Sequence, residues 1–417
     1  MELKKVNGVE FIDGGVCAAK GFKANGIQCG LAHAGASVTA KKNDLALIVS
    51  DTECTAAAVY TTNKVKGAPI LVTKEHIRNG KARAVIVNSV NANTCNADGV
   101  EKAEKMCELA AAELGISAED VIVASTGVIG QVLPIEPIAN GMHELAEGLT
   151  YDGNPRAVEA IMTTDTVPKE VAVRFECGGK TCTMGGMLKG SGMIHPNMAT
   201  TLTFITTDCA VSAELLQKAL SDIVKVTLNR ASVDGDTSTN DMVCVMASGS
   251  AENALVGSEN ADYEAFRNAL YAIMMNLARM MARDGEGATK LIECTVSGAD
   301  CDKTAEIVAK SVICSSLFKA AMFGEDANWG RILCAVGYAD ADFDINKVSV
   351  DIASEKGSVA VCRNGAGVDF SEGKAKEILG EEVIGIIVSI GDGSGSATAW
   401  GCDLTYDYVK INGDYRS

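Results

Sequence analysis

Positive charge is scarce in this chain. Its 37 lysines and arginines are outnumbered by 54 aspartates and glutamates, a formal net charge of −17. Nucleic acid and anionic membranes both select cationic surfaces, so neither is an expected partner. Aromatic residues make up only 5% of the chain, and no base-stacking surface is expected. Six prolines in 417 residues, with no low-complexity tract, argue for compact domains without a long disordered hinge. No run approaches the roughly 18 uninterrupted apolar residues of a membrane span. Met1 to Gly8 has neither an apolar core nor a small-residue cleavage site, so the expected location is cytoplasmic, not secreted. Paired metal-ligand spacings are also missing. The 15 cysteines include no Cys-x-x-Cys pair, and their scatter from Cys17 to Cys402 fits reduced, mostly buried thiols. No metal and no cofactor is expected.

What is present is the composition of an ordinary globular protein, 47% hydrophobic and long enough for two or three domains. Leu45–Ser50 and Ala84–Asn88 read as strands, and Glu101–Leu114 reads as a helix stopped by Gly115. Val121–Ala124 reads as a strand running straight into Ser125-Thr126-Gly127. Ser212 is a candidate cap for a helix bearing Leu215, Leu216, Ala219, Leu220 and Ile223 on one face. Asp262 is a candidate cap for a second, which buries Phe266, Leu270, Ile273, Met274, Leu277 and Met281 and ends near Gly285. Val383–Ile390 reads as a buried strand. The pattern shortens beyond Gly287, which puts a domain boundary near Asp284.

Lys189 to Leu202 carries the strongest chemical signal. Gly190 and Gly192 free the backbone, Pro196 fixes it, and Thr200 offers a hydroxyl. Threonine is a weak nucleophile unless a base activates it, and its own α-amino group can serve if the Ala199–Thr200 bond is cut. Such an amine, with an ordinary pKa of about 7.7–8.0, suits general-base work near neutral pH. Taken alone, the segment reads more simply as a turn before a strand over Thr201–Thr206. Thr126 and Gly127 could point at a developing oxyanion, or merely form a tight turn. Glu286, between two glycines, could pair with a substrate amine or simply be solvated. His195 positions the loop or belongs to a turn. Asp234 to Asp241 fails as a calcium loop, because Thr239 and Val245 stand where glycine and glutamate are needed; a polar turn or a site wall remains. Gly179-Lys180-Thr181 fails as a phosphate loop because Arg174 replaces the leading glycine.

Together these segments resemble the ornithine acetyltransferase family, also called bifunctional glutamate N-acetyltransferase/amino-acid acetyltransferase, of arginine biosynthesis. The resemblance runs through Tyr60–Lys66, Ser125–Gly130, Lys189–Leu202, Asp234–Asp241, Asp284–Lys290, Phe323–Arg331 and Ala399–Ser417. It implies an αββα-type sandwich over residues 1–283 and a smaller C-terminal α+β domain over 284–417. It implies self-cleavage between Ala199 and Thr200, with two copies of each chain forming an α2β2 heterotetramer. The implied reaction is ping-pong: Thr200 takes acetyl from N-acetylornithine, Thr126 and Gly127 hold the oxyanion, and glutamate accepts the acetyl group. Substrate contacts carry over onto Thr163 (Thr164 being the alternative register), Lys189, Thr200, Glu286, Asn412 and Ser417. Acetyl-CoA is a second donor in some members, and no residue here separates the two cases. An N-terminal-nucleophile aminopeptidase or amidohydrolase is the alternative, sharing the self-cleaving logic but passing the acyl group to water. Val90, Thr94 and Gly413 depart from the family pattern, which usually has glycine, alanine and alanine at these three positions.

Overall fold

The strand β3 (Leu45–Tyr60) organises the larger part of the molecule. In the computed structural model, which describes residues 1–31, 42–195 and 201–414, its register slips between Val49 and Cys54. The first half pairs with β2 (Phe22–Ile27) and β4 (Lys81–Asn88), and the β4 ladder resumes after the slip at Cys54 and Thr55. The second half pairs with β9 (Met242–Ala247). A strand of 16 residues that changes partners half-way lets one hydrogen-bonded sheet fold over on itself. The sequence reading stopped this strand at Ser50, because Asp51, Thr52 and Glu53 interrupt the apolar run just where the register shifts.

With β1 (Val9–Ile12), β5 (Val121–Ser125), β6 (Lys169–Cys177), β7 (Lys180–Lys189) and β8 (Leu202–Thr207), the sheet has nine strands. The order is β1-β6-β7-β8-β9-β3-β4-β5, with β2 on the flank of β3. Side chains alternate across each strand, so the fold-over makes three apolar layers. Leu202, Phe204, Met242 and Cys244 face Ala46, Val85 and Ile122 in the middle. Val171, Ile205 and Val243 meet the helices Ala213–Val226 and Ala261–Arg283 on one outer face. Leu47, Ile86 and Val123 meet the helices Gly99–Leu114 and Ile135–Glu147 on the other. This is the αββα sandwich the resemblance implied.

The helix signals worked where the cap is local. Ser212 accepts from the Leu215 N–H, and Gly115 closes its helix in the left-handed region. The second cap is Asn260, not Asp262: Asn260 accepts from the Tyr263 N–H. Asp262 lies inside the first turn, and its carboxylate accepts from the Gly178 N–H at 2.8 Å. Phe266, Leu270, Ile273, Met274, Leu277 and Met281 are all fully buried, each stabilising by at most about 1.5–3 kcal/mol.

A second sheet has the order β13-β12-β11-β14-β10-β15. Its strands are β10 (Leu291–Ala299), β11 (Ser349–Ser354), β12 (Gly357–Arg363), β13 (Ala366–Gly367), β14 (Val383–Ser389) and β15 (Gly395–Cys402). Helices between Asp302 and Leu379 cover it. Ile384, Ile386 and Val388 are buried, but Ile387 is 45% exposed; β14 is one-faced, not the fully buried strand its composition suggested. All fifteen thiols are free. No helix among the described residues is long and apolar enough to cross a membrane.

Candidate active site

A cavity of about 250 Å³ opens where the ends of β5, β7, β8 and β9 converge. Its lining includes Thr126, Gly127, Thr163, Thr164, Lys189 and Glu286, and Asn412 reaches it from the C-terminal helix Tyr406–Asp414. Seven residues from five separated stretches of sequence therefore share one space. Three further candidates, Ala199, Thr200 and Ser417, lie outside the described residues, as do Pro196 and Asn197. The neighbouring Thr201 and Leu202 do line the cavity.

The oxyanion candidates sit at the end of β5. The Thr126 N–H donates to Asn88 O and the Val128 N–H to Val90 O, both at 3.0 Å. Gly127 lies between them at φ 126°, and a Cβ there would stand 2.1 Å from Val90 O. Glycine is obligatory at this point. Asn240 braces the same turn, donating to Ala92 O at 2.6 Å and Ser125 O at 2.9 Å. Thr94 is accommodated here: its hydroxyl donates to Asn240 Oδ1 at 2.6 Å.

Lys189 ends β7 opposite Leu202. Its ammonium has no ion-pair partner among the described residues, which suits it to a substrate carboxylate. Burial pushes the nearby Lys42 down to about 8, with Asp165 opposing the shift and Lys189 adding to it. Glu286 is tied to the same loop, its N–H donating to Ser191 O at 3.0 Å. A Cβ on Gly192 would stand 2.3 Å from the Glu286 carboxyl carbon. Gly192 thus serves close approach more than backbone freedom. Asn412 Nδ2 donates to Glu286 Oε2 at 2.7 Å, and Thr405 Oγ1 to Gly287 O at 2.7 Å, so the tail is hooked onto the cavity.

Two parts of the site escaped the sequence reading. Asp165 accepts from the Gly190 N–H at 2.8 Å and from the Thr163 N–H at 3.0 Å. It also pairs at 2.6 Å with the wholly buried Lys169, which reaches Asp284 at 2.5 Å. Lys169 and Lys189 hold the Asp165 carboxyl far below the usual carboxylate range, against the effect of its burial. A lysine four residues after an aspartate was the only local signal. Asp234, in the segment read as a turn or wall, accepts from the Met193 and Ile194 N–H groups at 2.7 and 2.8 Å. Met193 sits at φ 56°, a strained conformation for a side chain that these bonds sustain. His195 does not line the cavity; its ring lies 3.1 Å from Ser232 Oγ, and its carbonyl accepts from Thr237 Oγ1 at 2.7 Å.

The model of the ArgJ family matches residues 25–417. The arginine biosynthesis bifunctional protein ArgJ of Caldanaerobacter subterraneus subsp. tengcongensis is 49% identical over 410 residues, covering 98% of this chain and all of that protein. ArgJ 1 of Clostridium acetobutylicum is 49% identical over 397 residues, covering 95% and 96%.

The chain belongs to the ArgJ family.

A crystal structure of the arginine biosynthesis bifunctional protein from Bacillus halodurans is 46% identical, covers 51% of this chain and 98% of that one, and superposes with a TM-score of 0.49.

Proposed function

We propose that this ArgJ-family chain is a self-cleaving glutamate N-acetyltransferase. It moves acetyl from N-acetylornithine to glutamate through an acetyl-threonine on Thr200. The observation that carries the reading is the convergence on one cavity of an oxyanion pair, a lone ammonium and a carboxylate. Cleavage before Thr200 frees the α-amino group that takes the Oγ proton. Oγ then attacks the acetyl carbonyl, and the Thr126 hydroxyl and Gly127 N–H meet the oxyanion as it forms. Lys189 pairs with the α-carboxylate of ornithine, and Glu286 with its side-chain ammonium. Ornithine leaves with the proton, and the glutamate amine attacks the acetyl-threonine in turn. The Thr164 hydroxyl is engaged by Ser191 Oγ at 2.7 Å, which favours Thr163 as the substrate contact. Asn412 holds Glu286 in place, and Ser417 completes the tail's contribution.

The finer organisation follows the same reading. Chains 1–199 and 200–417 assemble as α2β2 in the cytoplasm, with domains at 1–283 and 284–417. Support for the second domain is a core made wholly of residues between Ile292 and Ala399. The relatives' description as bifunctional supports acetyl-CoA as a second donor, checked by turnover of glutamate with acetyl-CoA alone.

Denaturing mass spectrometry tests the nucleophile. A fragment beginning Thr200-Thr201-Leu202 is expected, and Thr200→Ala should abolish both cleavage and transfer. Ornithine release from N-acetylornithine should accelerate with glutamate. If it does not, and acetate accumulates instead, the transferase reading fails.

A further inference from the structure

Ornithine and glutamate share an α-amine and an α-carboxylate, but their side chains carry opposite charges. A ping-pong site has to hold each of them in turn. Among the described residues, the cavity lining offers four acids, Asp234, Asp236, Asp241 and Glu286, against a single ammonium, Lys189. Burial holds Asp241 towards its neutral form. This lining suits ornithine, whose carboxylate takes Lys189 and whose side-chain ammonium takes Glu286. It serves glutamate poorly. Once the α-carboxylate has Lys189, the side-chain carboxylate finds no second cation in the lining and meets like charge at Glu286.

Lys42 stands just behind that lining. It lies shortly before β3, and its Nζ donates to the carbonyl of Met162, the residue before Thr163. Asp165 ties this segment to the one that follows Lys189, accepting from the Thr163 N–H at 3.0 Å and the Gly190 N–H at 2.8 Å. The Thr164 and Ser191 hydroxyls meet at 2.7 Å. Residues 162–165 and 189–191 therefore run side by side, with Lys42 against the first and Lys189 leading the second. Asp165 and Asp284 are both met by Lys169. Lys42 and Lys189 are left without an ion-pair partner among the described residues. An ammonium has three N–H donors, and Met162 O occupies one of those on Lys42. Burial pushes Lys42 down to about 8; Asp165, Glu159 and Asp44 pull it up, and Lys189 pushes it further down. A carboxylate arriving there would hold the ammonium in its charged form.

We propose that Lys42 is the residue that selects glutamate, receiving its side-chain carboxylate while Lys189 holds the α-carboxylate. The assignment rests on the acetyl-transfer reading given above. The two amino acids then share one anchor and part at their side chains: ornithine extends towards Glu286, and glutamate towards Lys42. Lys42 meets no reacting atom. It decides which acceptor the site takes, and its bond to Met162 O holds the ammonium in place when ornithine is bound. One cavity thereby serves side chains of opposite charge without rebuilding its walls.

The test offers the mature enzyme, with N-acetylornithine as donor, either glutamate or isotope-labelled ornithine as acceptor. Because both acceptors carry the same α-groups, the comparison isolates the side chain. Lys42→Met should raise the KM for glutamate roughly 10- to 100-fold more than it raises the KM for ornithine. Lys42→Arg should recover most of the preference, since a guanidinium keeps the charge. In the wild type, preference for glutamate over ornithine should be full below about pH 8 and decline as pH rises through it, where Lys42 loses its proton. Lys42→Arg should hold its preference over the same range. Equal losses for the two acceptors in Lys42→Met would make the residue a structural one and overturn the proposal. A Lys42→Arg preference that declines as the wild type's does would overturn it too. If the wild type passes acetyl to neither acceptor, the acetyltransferase reading falls; if it does, and Lys42→Met keeps the wild-type preference, only the role of Lys42 falls.

Discussion

Two carboxylates hold the loop that leads to Thr200, and they do so by opposite means. On one side Asp165 takes the Gly190 N–H from a site closed to solvent, where the Lys169 ammonium is shared between it and Asp284. On the other, half-buried Asp234 takes the Met193 and Ile194 N–H groups, and no ion pair joins it among the described residues. A charge sealed from water must bring its counter-charge with it, whereas one near the surface is satisfied by N–H groups and solvent. The first wall should therefore govern stability and the second the local shape of the loop.

Lys169→Met is the largest test of that contrast. It strands two carboxylates in the core, and should destabilise by about 3–5 kcal/mol in urea denaturation. A loss near zero would mean that the first wall is no more than packing. The acid limb gives a second view. Asp165 has its folded pKa depressed, so its contribution is present above the unfolded value of about 3.9 and is lost as pH falls below it. Asp165→Asn should accordingly flatten the decline of stability below about pH 4.

Thr126→Ala belongs to neither wall and serves as the control. It should leave stability nearly unchanged while lowering kcat by about 10²–10³. If binding weakens and kcat does not, the hydroxyl is a substrate contact and not part of the oxyanion site.

Asp234→Ala should cost about 2 kcal/mol, by loss of two hydrogen bonds to a carboxylate. Because Met193 is strained, the effect should appear mainly as slower self-cleavage, with less change in the unfolding midpoint than Lys169→Met gives. Equal loss of stability in the two variants would erase the distinction between the walls.

The two walls were unequally legible in the sequence. Thr126 and Gly127 could be found because an apolar strand runs directly into them, and Ser212 because its cap partner is three residues away. Asp234 and Asp241 fell within a segment recognisable as polar, but its purpose depends on β8 and β9 lying side by side. The link from Lys169 to Asp284 spans 115 residues, and no local pattern announces it. Asp262 shows the converse error: it has the chemistry of a cap, but Asn260 holds the geometry. Local rules identified groups able to act, and tertiary pairing decided what each one does.

The smallest effect probes the tail, which comes from beyond both walls. Asn412 Nδ2 holds Glu286 Oε2 at 2.7 Å, while the backbone N–H of Glu286 is already fixed by Ser191. Asn412→Ala removes only the side-chain restraint on a partly exposed carboxylate, worth about 1 kcal/mol. The KM for N-acetylornithine should rise about fivefold with kcat little changed, since the ammonium that Glu286 meets is bound equally before and during acyl transfer. A fall in kcat with unchanged KM would instead make the tail part of the chemistry, and would move Glu286 from binding an amine to shaping the transition state.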